Sequence, residues 1–322
     1  MTFFKSDSIL ESLGNQVLEK TLAKFATLNA EQCAITWIVY RKTKIIEDKK
    51  SIFPQEFSKH LIHGFNHRGT ESMYPASIVK LFYLVAIHQW LEVGKVSLSS
   101  ELSRAVNDMV VQSSNDATSL VMDSLTDTNS GPELVNNNFS AWKYKRNIIN
   151  IYFKTLGWQE FKPININQKT WSDGPYGREK KFLGEMKKSR NVLTTNAVAR
   201  LFHNIVSGTA VSLERSMQMM SLLKRAVDDI HYNSSTENQV TGFLGEGLPK
   251  NAELWSKAGW TSQVRHDAAY IKVPGLPPFL FIMFIEGEEN SKNKKIFPFV
   301  SELIVEKLYL NKEYFYYWDN EN

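Results

Sequence analysis

Residues 74–91 read YPASIVKLFYLVAIHQWL, an apolar run interrupted by one lysine three positions after a serine. Ile78, Val79, Leu81, Phe82, Leu84, Val85 and Ile87 cover the whole circumference of a helix, a pattern that predicts burial on every side. Helical positions i and i+3 share a face, so Ser77 and Lys80 are expected side by side within that buried helix. An ammonium taken out of water is costly, and a lysine whose hold on its proton is weakened is a suitable base for a neighbouring hydroxyl.

The plainer reading is that Lys80 lays its stem on the core and keeps its head in water. Ser-x-x-Lys also occurs at Ser140–Lys143, Ser221–Lys224 and Ser291–Lys294, so the bare pattern decides nothing. Context separates the four. Only at Ser77 does it open an apolar helix, with Pro75 just upstream, where helix starts accept proline.

The 322 residues allow one large domain or two ordinary ones. A hydrophobic fraction of 43% with 12% aromatics is enough for a packed core and excludes disorder. The 38 basic and 34 acidic residues leave +4, too little for a nucleic-acid binder, which needs a concentrated basic footprint. Basic patches at 142–154, 179–190 and 290–295, with Trp142, Tyr144 and Tyr152 among them, are read as solvated helix edges, although such aromatics could stack bases. Cys33 is the one cysteine and sits in the strand-like CAITWIVY, so no disulfide within the chain is possible and an inert core thiol is expected. The first twenty residues lack the apolar core and cleavage site of a signal peptide, and no run reaches the length of a membrane span. A cytoplasmic protein is expected, with no membrane partner.

Apolar spacing predicts a first helix over 8–28, a strand at 33–41 and a second near 51–57. Helices follow at 77–92, 101–112, 115–125 and 133–156. Pro163, Gly174, Pro175, Gly177 and Gly184 mark 157–191 as a long loop, packed through Trp171, Tyr176 and Phe182; loops of this length are usually functional. Helices at 194–207 and 212–228, strands at 253–259, 266–273 and 278–287, and a helix at 295–309 complete the chain. Strands grouped at both ends of a helical block predict an α+β fold: one antiparallel sheet built from distant parts of the chain and interrupted by a helical insertion. The boundaries expected are a sheet lobe from 1–72 with 208–322 and a helical lobe from 73–207. HLIHGFNH (60–67) spaces three histidines for a metal, but Gly64 and Asn66 oppose a helix and no matching ligand is near; a loop leading into Tyr74–Ser77 is expected, with no metal and no cofactor.

An acyl-transferring Ser77 needs a proton relay, a cationic anchor and an oxyanion hole. SSND (113–116) lies between two predicted helices, where Ser113 could shuttle a proton and Asn115 could bond a substrate amide and orient Lys80; a helix N-cap is the simpler role for such residues. KAG (257–259) ends a strand and is the one Lys-x-Gly in the chain. Lys257 would bring positive charge, Gly259 would let a backbone approach closely, and the N–H groups of Trp260 and Ser77 could face an oxyanion. A lysine that merely blunts a sheet edge is the alternative.

Ser-x-x-Lys, Ser-x-Asn and Lys-x-Gly in this order resemble the motif set of penicillin-binding proteins and class A β-lactamases. SMYPASIVKLFYL looks like the nucleophile helix of that superfamily, MVVQSSNDATSLVMDSL like its Ser-Asp-Asn helix pair, and SGPEL…IYFKTLGW like the helix that follows. NVLTTNAVARLFHNIVSG is similar to its Thr-Thr helix and WSKAGWTSQVRHDAAYI to its Lys-Thr-Gly strand and hairpin partner. The resemblance implies a three-layer fold, a sheet sandwiched by helices plus an all-helical lobe, with the active site between them. It also implies a serine hydrolase that forms an acyl-enzyme on Ser77 with a small acyl, amide or lactam substrate and no cofactor.

Three departures bear on substrate and turnover. Ala258 stands where the family has a hydroxyl that helps bind a carboxylate, a loss worth about 1.5–3 kcal/mol; Arg265 or His266 on the next strand is expected to compensate. The helical lobe is trimmed between Ser77 and Ser113. No Glu-x-x-x-Asn occurs in 157–191, so Glu179 is taken as the deacylating base, with Glu185 and Asp173 behind it; a solvated loop carboxylate is the simpler role. The alternatives are a cytoplasmic amidase or esterase similar to serine-dependent glutaminases, an antibiotic-scavenging enzyme, a catalytically idle scaffold, which would be expected to have lost Ser77 or Lys80, and a binding protein that uses the aromatic, basic face around 142–182.

Overall fold

Strand-forming runs from the two ends of the chain meet in one sheet. The computed structural model describes residues 2–40, 62–227 and 238–316. Among them are seven strands: β1 (Lys5–Ser6), β2 (Cys33–Val39), β3 (His63–His67), β4 (Lys224–Arg225), β5 (Glu253–Trp260), β6 (Val264–Lys272) and β7 (Phe279–Glu286). Their spatial order is β1-β3-β2-β7-β6-β5-β4. Every pairing is antiparallel except that of β1 with β3. The sheet joins residues far apart in sequence, with Trp37 of β2 opposite Phe281 of β7.

Both faces of the sheet are covered, which is why β2 and β7 read as almost continuous apolar runs rather than alternating ones. Period-two geometry still sorts their side chains. Cys33, Ile35, Trp37, Phe279, Phe281 and Met283 face a core closed by α1 (Ser8–Lys24) and, near the C-terminus, a helix over Ile296–Leu310. Ala34, Ile38, Leu280, Ile282 and Phe284 face the second core. That core is closed by α2 (Lys80–Glu92), α3 (Ser100–Val111), α4 (Asn115–Thr126), α6 (Ile148–Thr155), α8 (Thr195–Val206) and α9 (Leu213–Leu223), while α5 (Asn136–Arg146) and α7 (Gly177–Leu183) meet outside it through Trp142 and Phe182. The helix over Ile296–Leu310 is α11, preceded by the short α10 (Glu288–Lys292). The layers are therefore helix, sheet and helix, an α+β fold in which the helical block extends one outer layer.

Four local expectations need adjustment. The strand expected near 51–57 lies outside the described residues. Residues 63–67, expected as a loop, form β3, in which His63, Gly64 and Phe65 are buried and Asn66 is exposed. The helix expected over 133–156 is two, because Asn147 (φ −87°, ψ 0°) breaks it. The segment 157–191 packs through Phe182, which is buried, but not through Tyr176, which is exposed, and it contains α7. Among the described residues no helix is long and apolar enough to cross a membrane.

Candidate active site

A 3-10 turn, Ala76–Val79, carries the chain into α2. Of residues 75–88, Ser77 alone is not buried, so a run selected for burial leaves one hydroxyl reachable. Ala76 adopts φ +45°, a left-handed conformation that residues with a Cβ hold only when their surroundings impose it. Two contacts do so. The His266 ring on β6 donates from Nε2 to the Tyr74 carbonyl at 2.8 Å. Gly259, near the end of β5, lies so close that a Cβ there would sit 2.9 Å from the Pro75 oxygen and 3.0 Å from the Ser77 nitrogen.

His266 is neutral in this arrangement. The Ile285 N–H donates to its Nδ1 at 3.1 Å, which leaves Nε2 as the protonated nitrogen, and burial pushes its pKa down to about 4. His266 is thus a tether for the turn that carries Ser77 and not the replacement carboxylate ligand expected from the sequence.

Ser113 is the centre of the cluster. It follows α3, is buried, and has φ +56°. The Lys80 ammonium, fully buried, donates to the Ser113 carbonyl, to Ser113 Oγ at 3.2 Å and to Asn115 Oδ1 at 3.0 Å. From the opposite side the Lys257 ammonium, also fully buried, donates to Ser113 Oγ at 2.9 Å, to Gln239 Oε1 at 2.5 Å and to the Ala258 carbonyl at 2.8 Å. One hydroxyl therefore joins two lysines from different layers of the fold. Lys80, Ser113, Asn115 and Lys257 form one bonded group, and Gly259, two residues after Lys257, meets the backbone of Ser77.

Trp260 and Arg265 lie beside it. Arg265 donates from Nε to the Ser291 carbonyl at 2.7 Å and from Nη1 to the Gly242 carbonyl at 3.3 Å. The Trp260 indole N–H donates to the same Ser291 oxygen at 3.0 Å. Together with Gln239, Phe243, Gly259 and Lys294 they line a cavity of about 370 Å³.

Glu179 is not brought to this group. Its buried carboxylate accepts from Arg146 at 2.5 Å and from Ser130 at 2.9 Å, while Lys169 bonds Ser130 and Asp123. Burial raises the Glu179 carboxyl above its ordinary range against the pull of Arg146. This network fastens the 157–191 segment to α4 and α5. The segment's residue that reaches Asn115 is Ser172, whose Oγ accepts from Asn115 Nδ2 at 3.4 Å. Asp173 and Glu185 are exposed.

Gln239 escaped sequence reasoning, since a lone glutamine in a loop carries no local pattern. The missing hydroxyl at Ala258 was the available signal that something else must accept from this part of β5. The aromatic, basic face around 142–182 does not present a stacking surface at Trp142 or Phe182, both buried; the Trp142 indole donates to the Asn129 carbonyl and its ring carries the Arg146 guanidinium. Among the described residues no His, Cys, Asp and Glu cluster fits a metal ion. His63 faces Asp7 and His67 bonds the Ala30 carbonyl.

A family model described as "Beta-lactamase enzyme family" matches residues 101–308. No curated protein matches the sequence. Among solved structures, the chain is similar to a β-lactamase from Sphaerobacter thermophilus at 16% identity, covering 92% of this chain and 98% of that one with a TM-score of 0.59. A β-lactamase from Chitinophaga pinensis aligns at 12% identity over 92% and 98% of the two chains, with a TM-score of 0.62. A structure of PBP-A aligns at 16% identity over 94% and 97%, with a TM-score of 0.59. At such identities the likeness is one of fold.

Proposed function

The chain belongs to the beta-lactamase enzyme family, and on that premise we propose that it is a serine hydrolase in which Ser77 attacks an amide or lactam carbonyl, with β-lactams the first substrates to consider. The observation that carries this reading is the Ser113 hydroxyl, bonded by both Lys80 and Lys257 beside the one reachable hydroxyl of a buried helix start. Lys80 in its amine form takes the proton from Ser77 Oγ as the Oγ–acyl bond forms. The proton then passes by way of Ser113 to the leaving nitrogen as the C–N bond breaks. The backbone N–H groups of Ser77 and Trp260 face the oxyanion. Asn115 holds the substrate amide, Lys257 supplies positive charge, Gly259 admits the Pro75–Ser77 backbone rather than that of a substrate, and Arg265 serves the adjoining cavity. The lobes 73–207 and 1–72 with 208–322 form the two walls, the first giving Ser113 and the second Lys257.

Deacylation is the slow step in this proposal. Ser172 meets Asn115 where a general base would be needed, and a neutral hydroxyl is a poor one at neutral pH. Glu179 has no part in that step, because its carboxylate is sealed against Arg146 and Ser130.

Intact mass after incubation with a penicillin, on wild type and Ser77→Ala, tests the reading. A lasting adduct on wild type alone supports it. Loss of penicillin without an adduct supports hydrolysis but overturns slow deacylation. Neither adduct nor loss rejects β-lactams as substrates. In that event Ala258, together with Gln239 occupying Lys257, favours uncharged amides or esters as the substrates of the same serine.

A further inference from the structure

Gln239 is buried at 5% exposure on the loop before β5. Its Oε1 accepts from Lys257 Nζ at 2.5 Å and from the Ala258 N–H at 3.3 Å. Its Nε2 donates to the Val110 carbonyl at 3.0 Å and the Val111 carbonyl at 2.9 Å. A primary amide offers two donor and two acceptor positions, and all four are used. The orientation is fixed as well. A flipped amide would turn its NH₂ toward the ammonium and the Ala258 N–H, and its oxygen toward two carbonyls.

These partners are not scattered. Val110 and Val111 belong to the last turn of α3, whose carbonyls lack partners within the helix, and that turn delivers the chain to Ser113. Lys257 is the other partner of Ser113 Oγ. One amide therefore ties down the backbone that carries the hydroxyl and the ammonium that bonds it. The Ala258 carbonyl is a further acceptor of that ammonium, at 2.8 Å.

We propose that Gln239 is a positioning residue, whose amide holds the Lys257 ammonium on Ser113 Oγ and so sets the geometry of the proton relay. Its relevance to catalysis rests on the acyl-enzyme reading above; the structural half does not.

Two measurements on the full chain test it. In protein labelled with ¹⁵N-lysine, the Lys257 ammonium resonance, assigned by its loss in Lys257→Met, should exchange slowly with water in wild type and rapidly in Gln239→Met, which fills similar volume without an acceptor. Unchanged exchange overturns the proposal, with no substrate involved. The second measurement is the rate of Ser77 labelling by a fluorescent penicillin across pH. Gln239→Met should label roughly tenfold to a hundredfold more slowly, the scale of a misplaced catalytic group, with a displaced pH profile. Gln239→Glu, which keeps the acceptor toward Lys257 but cannot donate to the α3 carbonyls, should recover most of the rate. A merely structural anchor predicts the reverse, with Gln239→Glu at least as slow as Gln239→Met, and that result sinks the proposal. If wild type is not labelled but Lys257 exchange responds as expected, the β-lactam reading fails and the positioning claim survives.

Discussion

Lys257 of β5 donates to the hydroxyl of Ser113 at 2.9 Å, across 144 positions of sequence and between the sheet and the helical layer. The same hydroxyl accepts from Lys80 at 3.2 Å. If the relay runs through this atom, Ser113→Ala should lower the acylation rate of Ser77 by about 10²–10⁴-fold, the usual range for a general acid–base group. The substitution takes one acceptor from two buried ammoniums and should also lower stability by about 1–3 kcal/mol, so the rate is compared on folded protein. An acylation rate within a few-fold of wild type, measured by stopped-flow with a chromogenic β-lactam, would remove Ser113 from the relay.

Gly259→Ala tests the seam between β5 and the nucleophile turn. The added methyl would sit 2.9 Å from the Pro75 oxygen and 3.0 Å from the Ser77 nitrogen, both backbone atoms that cannot swing aside. Overpacking of this kind costs about 1–3 kcal/mol, and the displacement falls on the turn that presents Ser77. Both denaturant midpoint and labelling rate should drop. A stable, fully active variant would show that the turn is not seated on this strand.

What was legible in the sequence followed how local each signal is. The buried start of α2, the Ser77–Lys80 spacing and the apolar runs of β2 and β7 depend on residues a few positions apart. β3 was missed because HGFNH is short and half polar, and its strand character comes from pairing with β2 on one side and β1 on the other. The left-handed conformations of Ala76 and Ser113 were invisible for a related reason. Nothing in their side chains asks for φ > 0; the His266 bond to Tyr74 and the close approach of Gly259 impose it at Ala76. Glu179 lay in the expected segment, yet its carboxylate was already committed to Arg146, a partner on another helix that no local pattern reveals.

The Arg146–Glu179 pair should matter for stability and not for chemistry. Both side chains are fully buried and their charged atoms are 2.5 Å apart. Removing one partner of such a pair costs about 3–5 kcal/mol, whereas replacing both by apolar residues is often close to neutral. Glu179→Leu is therefore expected to lower the urea midpoint strongly, and Arg146→Met with Glu179→Leu to recover much of the loss. Folded double variant should still label on Ser77. Loss of labelling with the fold intact would return Glu179 to the catalytic group.

The histidine contribution to stability should fall as the solution is acidified below about pH 6.5. Burial lowers His266 and His88 from 6.5 to about 4 and His203 to about 3. For groups depressed in the folded state the unfolded chain binds more protons, so their stabilisation is full above 6.5 and is lost as pH falls toward the folded values. For His266 alone the shift corresponds to about 3 kcal/mol. Asp267 acts in the other direction, since burial raises it from 3.8 to about 7; its contribution is full below 3.8 and is lost as pH rises through 7. Burial raises the Glu179 and Glu286 carboxyls as well, in the same direction as Asp267, so the histidine share is isolated by substitution. His266→Gln, which can still donate to the Tyr74 carbonyl, should flatten the decline measured by urea unfolding at pH 5 and 7.5. An equally steep decline would mean that His266 is not buried neutral.

Ser172 is where turnover can be added. Its hydroxyl accepts from the Asn115 amide at 3.4 Å, and the same Asn115 bonds Lys80 through its oxygen. A carboxylate at position 172 could accept from that amide and take a proton from a water approaching the Ser77 ester. General bases placed in this way contribute about 10²–10⁴-fold. Ser172→Glu should form the penicilloyl adduct at an ordinary rate and lose it at least about a hundredfold faster than wild type. Ser172→Gln, of the same shape without a base, should keep the adduct as long as wild type does. Equal lifetimes in Ser172→Glu and Ser172→Gln, followed by mass over time, would place the attacking water elsewhere. They would also separate slow deacylation from the chemistry of position 172.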